Sequence, residues 1–415
     1  MKKIIITVSA CLLFAMASAQ DTTATKKPST TRSSLTGDWG GARESLKMNG
    51  LVIEPRVTFF QHNYVAGEGY NESVFSGKAD LMIKFNGVKL GLKRWTLITH
   101  LEQNFGKSLN GKGGTLIPNN IATTFPGLDG NESFDITSLH LVYQFGKANA
   151  LMIGKINMVD IAAGTRFSGG AGIDALWNVN FPGPVSGITP PYMLGAITSI
   201  KTKALKYTFM VYDPANYANQ SVFKSSFETG ITFSGSIEKE ATIWGKKGSH
   251  SLRAAYSTQD GTDLYDLGDL ILPTPESAGR KNSRWYFNYN INQPFVDYEE
   301  KGKGWGLFGM VSISDGNPNP IHFGMHLGIG GNSFFKNRSD DKWGLAMYHY
   351  SLSNPLADFA STLGKPLRNE TGVELFYQAW LTKWFSLGGD VQWINPILKN
   401  NPGALFLGLR SSIKI

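Results

Sequence analysis

The sequence is short of cysteine, of charge and of long apolar runs. Its one cysteine, Cys11, lies in a segment that reads as a leader, so the chain beyond it offers no disulfide, thiolate metal site or cysteine nucleophile. Charged residues make up 17% of the chain, against roughly 25% in an ordinary soluble domain. After the first ~20 residues nothing is apolar for the ~18 residues that a membrane-crossing helix needs, which excludes a helical membrane protein. What the chain does have is glycine, 47 residues, and rings, at 12% aromatic content. That composition argues against disorder and suits one large β-barrel as well as two or three soluble domains.

Lys2 and Lys3 precede an apolar run from Ile4 to Met16, then Ala17, Ser18 and Ala19. Residues 1–19 therefore read as a secretory signal peptide with cleavage before Gln20. Residues 20–34 are rich in Thr, Ser and Lys without apolar periodicity and are expected to be a disordered tail. Residues 35–50 contain a short helix, expected in the periplasm, with Ala42, Leu46 and Met48 on its apolar side and Gly50 placed to cap it. Removing Lys2 and Lys3 leaves 38 basic against 32 acidic residues. A balance of that size bears on attraction of anions and not on fold.

From residue 51 onward the recurring signal is an apolar residue at every second position for about ten residues, then a turn. Leu81, Ile83 and Phe85 alternate with Asp80, Met82 and Lys84, and Leu97, Thr99 and Leu101 alternate with Thr96, His100 and Glu102. The spacing predicts strands near 51–60, 77–86, 93–103, 136–145, 150–158, 192–200, 204–212, 228–237, 249–257, 284–291, 304–313, 321–330, 342–350, 371–380, 384–393 and 403–414. Connections starting at 61, 104, 159, 258 and 351 are long, whereas those at 87, 146, 201 and 381 are short. An even number of half-polar strands with such alternation predicts an all-β fold, a transmembrane antiparallel β-barrel of about sixteen strands over 51–415, with long loops outside the cell. Trp95, Trp305, Trp343 and Trp384 then open strands just after periplasmic turns, with Trp244 in such a turn, which marks one membrane interface. In the last strand Leu405, Leu407, Leu409 and Ile413 face lipid while Arg410 and Lys414 face the lumen. Barrels of this kind usually end in an aromatic residue, and Ile415 departs from that.

Three segments resemble the carbohydrate-selective porin family, the OprB type of Gram-negative bacteria. They are Leu-Thr-Gly-Asp-Trp-Gly-Gly-Ala-Arg at 35–43, Gly330-Gly331-Asn332 with Arg338, Asp340, Asp341, Gly344 and Tyr348, and the stretch from Glu370 to Arg410. The resemblance implies a pore that admits sugars in the outer membrane of a Gram-negative bacterium. Porins commonly fold the loop between the fifth and sixth strands into the lumen. By that analogy 159–191 forms a constriction in which Trp177 stacks on a sugar ring while Asp174 and Arg166 bind hydroxyls.

Strand parity places Glu54, Arg56, Lys84, Arg94, Arg253, Arg284, Glu374, Asp390 and Arg410 toward the lumen. Of these, Arg56, Arg253, Arg284, Arg410, Glu374 and Asp390, together with Arg166, Asp174 and Trp177, are the expected pore-lining contacts for substrate. Guanidinium forks offer several donors in fixed geometry to sugar hydroxyls. Nothing in the sequence calls for an enzyme. No G-x-S-x-G elbow occurs, Gly106-Lys107-Ser108 lacks the rest of a phosphate loop, and His322 and His326 have no third ligand at a fitting spacing. No metal and no cofactor are expected. The basic residues are scattered along strands, which argues against nucleic acid as a partner. The expectation is diffusion of mono- or disaccharides, with outer-membrane lipid around the barrel and a homotrimer as an open assembly state. The alternatives are a general, weakly anion-selective porin without sugar preference and a mainly structural or adhesive barrel.

Overall fold

The computed structural model describes residues 32–128, 133–221, 226–271, 279–300 and 302–415. The expected signal peptide and most of the expected tail lie outside them. Among the described residues sixteen strands close into one antiparallel barrel. In chain order they are β1 (Leu51–Ala66), β2 (Glu72–Asn86), β3 (Trp95–Gly106), β4 (Phe134–Phe145), β5 (Asn149–Asn157), β6 (Tyr192–Lys201), β7 (Leu205–Tyr212) and β8 (Thr232–Ile243). β9 (Lys246–Ser257), β10 (Arg284–Asp297), β11 (Gly304–Ser314), β12 (Ile321–Asn332), β13 (Lys342–Leu352), β14 (Glu370–Trp380), β15 (Phe385–Asn395) and β16 (Ala404–Lys414) follow. Each strand pairs with its neighbours in sequence, and β16 closes on β1 with Arg56 opposite Lys414 and Phe60 opposite Arg410. Closure satisfies every strand edge internally, as a bilayer requires.

The alternation read from the sequence is the alternation of burial. On β16 Leu407 and Leu409 are exposed on the outer wall while Phe406, Gly408 and Arg410 are buried inside. The outer wall carries the apolar side chains because nothing but lipid tails faces it, and the inner positions can be polar. At one rim of the barrel, the one expected to be periplasmic, the rings touch one another in series: Trp244 with Phe295, Phe295 with Trp305, Trp305 with Trp343, and Trp343 with Phe334, at centroid separations of 5.4–5.8 Å. This belt is where amphipathic rings belong, at the headgroup level.

Strand limits differ from the sequence reading at the first hairpin, at β8 (expected at 228–237, found at Thr232–Ile243) and at the end of β10 (expected at 284–291, found at Arg284–Asp297). The connection expected at 61–76 is only residues 67–71, because β1 and β2 continue beyond the apolar stripe. There the outward residues are polar and paired with one another, Gln61 with Ser73 at 2.7 Å and Ser73 with Asn63 at 2.7 Å. A stripe search for apolar outward positions stops where the bilayer stops, although the sheet does not.

The Leu35–Arg43 segment folds as a tight plug against the end of the barrel. Gly40 and Gly41 adopt positive φ, 68° and 95°, which glycine accepts without a Cβ penalty. These turns bring Arg43 under the C-terminal strand, where it donates to the Ile415 carbonyl at 2.7 Å and sits over the Trp39 ring at 4.2 Å. Leu35 N–H adds a bond to the Lys414 carbonyl at 2.8 Å. The helix expected in 35–50 is α1 (Ala42–Met48). Two further helices, α2 (Met158–Ala163) and α3 (Asn354–Thr362), lie in long loops. They are too short to produce a helical period. α2 is started by the Asn157 side chain, which accepts from Val159 and Asp160 N–H groups.

Candidate functional site: a lumen narrowed by two inward loops

The loop segments 107–128 and 158–191 both turn into the barrel, and only the second was expected to. Each is tethered by an inward carboxylate on β14, the two being four residues, or two repeats of the pleat, apart. Glu370 accepts from Leu116 N–H at 2.5 Å and Ile117 N–H at 2.9 Å. Glu374 accepts from Trp177 N–H at 2.5 Å and Asn178 N–H at 3.0 Å. Charge-assisted bonds to backbone N–H groups are the stronger kind, and they satisfy donors that a folded-in loop would otherwise bury bare. Arg410 does the converse. It donates to the carbonyls of Gly172 and Ala175 at 2.7 and 2.8 Å and to Gln378 at 2.8 Å. The two loops also bond to each other, Ile121 N–H to the Trp177 carbonyl at 2.8 Å and Val179 N–H to the Pro118 carbonyl at 3.1 Å.

Between the loops and the wall of β11–β14 lies a dry core. Ile117, Ile121, Leu176, Val179 and Phe181 pack there on Phe308, Tyr348 and Phe376. Trp177, expected to offer its face to a sugar, is fully buried, edge-on to Phe60 at 5.2 Å and beneath the Arg410 guanidinium at 5.3 Å. Gly408 leaves room for it, since a Cβ there would stand 2.5 Å from the indole. Arg410, Glu374 and Asp390 thus face inward as parity requires, and Trp177 comes in on the loop; all four are buried, with Glu374 and Arg410 anchoring the loop rather than forming wall exposed to solute.

Arg56 is different. It stands in an inner vestibule of about 820 Å³ that also takes in Asp80, Lys84, His100, Ile173 and Lys414. Its guanidinium grips Asp174 at the loop tip in a bidentate pair, 2.8 and 2.5 Å, and Ser412 at 2.6 Å. Both side chains keep some exposure, 17% and 26%. Burial alone would raise the Asp174 carboxyl, but the Arg56 charge and hydrogen bonds, helped by Lys342 and Arg410, hold it well below the usual carboxylate range.

An outer vestibule of about 580 Å³ is lined on one side by the loops and on the other by Arg253, Tyr286 and Asn288. Arg253 donates to Ser234 at 2.7 Å and to Thr189 of the inward loop at 2.8 Å. Arg284 is higher on the outer rim, donating to the Asp260 carbonyl at 3.2 Å. Arg166 belongs to neither vestibule wall. It pairs with Asp297, at the C-terminal end of β10. His326 is buried against Phe181 and Phe308 while His322 is exposed, so the two rings do not converge.

The sequence reading passed over the wall of β2 and β3. Lys78 and Glu102 form a buried ion pair, and Lys78 also donates to the Phe125 carbonyl of the first inward loop at 2.8 Å. His100 reaches Asp160 of α2 at 2.9 Å. The alternation placed these side chains inside; what it lacked was any sign that a loop would come down to meet them.

A closed barrel with an apolar, ring-belted outer wall, a polar inner wall and loops folded into the lumen defines an outer-membrane porin. The family model for the carbohydrate-selective porin, OprB family, matches residues 76–415. The chain belongs to that family: it is a pore for carbohydrates in the outer membrane of a Gram-negative bacterium, and not an enzyme. Among solved structures it is similar to the high-pH structure of Pseudomonas putida OprB, with 17% identity and a TM-score of 0.77, covering 94% of this chain and 100% of that one. The low-pH structure of the same protein matches with 14% identity and a TM-score of 0.56, over 92% and 98% of the two chains. The outer membrane channel DcaP of Acinetobacter baumannii follows with 11% identity and a TM-score of 0.55, over 88% and 97%. At these identities the likeness concerns the fold. No curated protein gives a significant sequence match.

Proposed function

We propose that mono- and disaccharides pass between the two vestibules past the Arg56–Asp174 pair, which acts as the polar contact of the constriction, with Arg253 and Arg284 as contacts on the outer approach. One observation carries this reading. Of the residues expected to line the pore, Arg56 and Asp174 form a bidentate pair that is partly exposed inside an open vestibule. A fork already held in one geometry exchanges bonds with sugar hydroxyls at little cost in side-chain entropy. The basic excess of the chain, 40 Lys and Arg against 32 Asp and Glu, supports a weak preference for anions over cations, with neutral sugars unaffected.

The test is block of single-channel current by added sugar. Arg56→Ala should leave open channels but weaken sugar block about tenfold, the size of one lost charged hydrogen bond. Unchanged block in that variant would move the sugar contact elsewhere. Absence of block in the unsubstituted channel would favour a general porin.

Assembly as a homotrimer is part of the proposal. An aromatic patch on the outer wall, Phe59 with Phe75 at 5.9 Å and with Phe105 at 6.1 Å, offers a surface on which barrels could abut. Crosslinking in native membranes should give a species three times the monomer mass; monomer alone would refute it.

A further inference from the structure

Beyond sugar passage, we propose that the lumen wall carries a binding site for a divalent transition-metal ion of the Zn²⁺ type, built from Asp80, His100 and Glu102. The three side chains each offer a ligand atom, and these atoms all lie within 4.8 Å of one another. His100 Nε2 is 3.4 Å from Asp80 Oδ1 and 3.9 Å from Glu102 Oε1. With metal–ligand bonds of about 2.0–2.1 Å, neighbouring ligands of a tetrahedral ion stand about 3.3 Å apart. The first separation already fits and the second needs a small side-chain rotation.

Three independent features point to a cation there. Asp80 is nine-tenths buried, its side chain 9% exposed, and neither of its carboxylate oxygens has a hydrogen-bond partner. A bare buried carboxylate is costly, and its oxygens face His100. Second, His100 is oriented as metal-ligating histidines are: its Nδ1 is hydrogen-bonded to Asp160 Oδ2 at 2.9 Å, a carboxylate behind the ring, and its Nε2 is turned toward Asp80 and Glu102. Third, carboxylates outnumber the fixed cations around the ring: Asp80, Glu102 and Asp160 face His100, while Lys78 sits on Glu102 and the adjacent Arg56 is matched by Asp174. An ion bound at Nε2 takes the place of a proton that these carboxylates would otherwise hold on the imidazole. Glu102 keeps lone pairs free beside its bonds to Lys78 and to Asn157, the latter at 3.1 Å.

Entry is from the inner vestibule, which Asp80 and His100 line. Asp160 belongs to α2, whose Met158, Val159 and Ala162 line the outer vestibule. A bound ion would therefore tie the inward loop to β2 and β3 where the two vestibules meet, and add positive charge beside Arg56.

The experiment uses the full-length channel, freed of metal by a chelator, in planar bilayers and in detergent. Zn²⁺ should bind at one ion per chain and lower single-channel conductance saturably. Asp80→Asn and His100→Gln should each abolish both effects. Asp160→Asn, which keeps all three ligands, should weaken binding about 10–100-fold. If a variant fails to insert, the wild-type protein still decides: bound Co²⁺ should show the intense visible bands of a four- or five-coordinate N/O site. Failure of the wild type to bind an ion stoichiometrically, or persistence of the block in both ligand variants, would overturn the proposal.

Discussion

At the scale of single residues, the side chains nearest the sugar path are set by what lies opposite them. Arg56 and Arg410 both face inward from adjoining strands, four residues apart in register, yet Arg410 is buried under loop carbonyls and Arg56 keeps an open side. The inward facing of both was legible from strand parity. Which one meets water was not, because that depends on where a loop of low regularity comes to rest. The Arg56–Asp174 pair also has a definite pH behaviour. The folded Asp174 carboxyl lies below its ordinary value near 3.9, so its stabilisation of the loop is fully present above that value. It is lost only as pH falls through the depressed one. We expect loop release, followed as a rise in current noise, to distinguish Asp174→Asn from wild type at pH 7 and still at pH 4. Convergence of the two by pH 4.5 would show that the pair does not hold in the working channel.

At the scale of elements, strands were legible and inward loops were not. Every expected strand is present, since a period of two is imposed by lipid on one side and water or loop on the other. The inward segment 107–128 gave no such signal. Its hold on the wall comes from backbone groups meeting Glu370, Lys78 and Asn104, and backbone groups leave no trace in composition. Trp177 misled for a related reason: an indole in a lumen loop suits a sugar platform and a buried anchor equally, and only the positions of Phe60 and Gly408 decide. The last strand separates the two faces experimentally. Leu407→Arg, on the outer wall, should destabilise the barrel by about 2–4 kcal/mol if it lies near the bilayer midplane. Arg410→Leu should leave the barrel assembled but free the Gly172 and Ala175 carbonyls, loosening the loop and raising conductance. Denaturant unfolding in lipid and single-channel recording check the two; equal destabilisation by both would contradict the register.

At the scale of the whole molecule, the barrel, the ring belt and the inward loops make one device. The wall satisfies the bilayer, the belt fixes its height, and the loops divide the lumen of a wide sixteen-stranded cylinder into two vestibules. On the proposed reading, selectivity for sugars rests on the polar contacts of Arg56 and Asp174 between them and not on width alone. The most direct measurement is swelling of liposomes carrying the purified channel, across sugars, amino acids and salts of matched size. The account predicts that mono- and disaccharides enter faster than amino acids of equal size, with the advantage reduced in Arg56→Ala. Entry rates that follow size alone, with sugars and amino acids on one curve and Arg56→Ala unchanged, would contradict it.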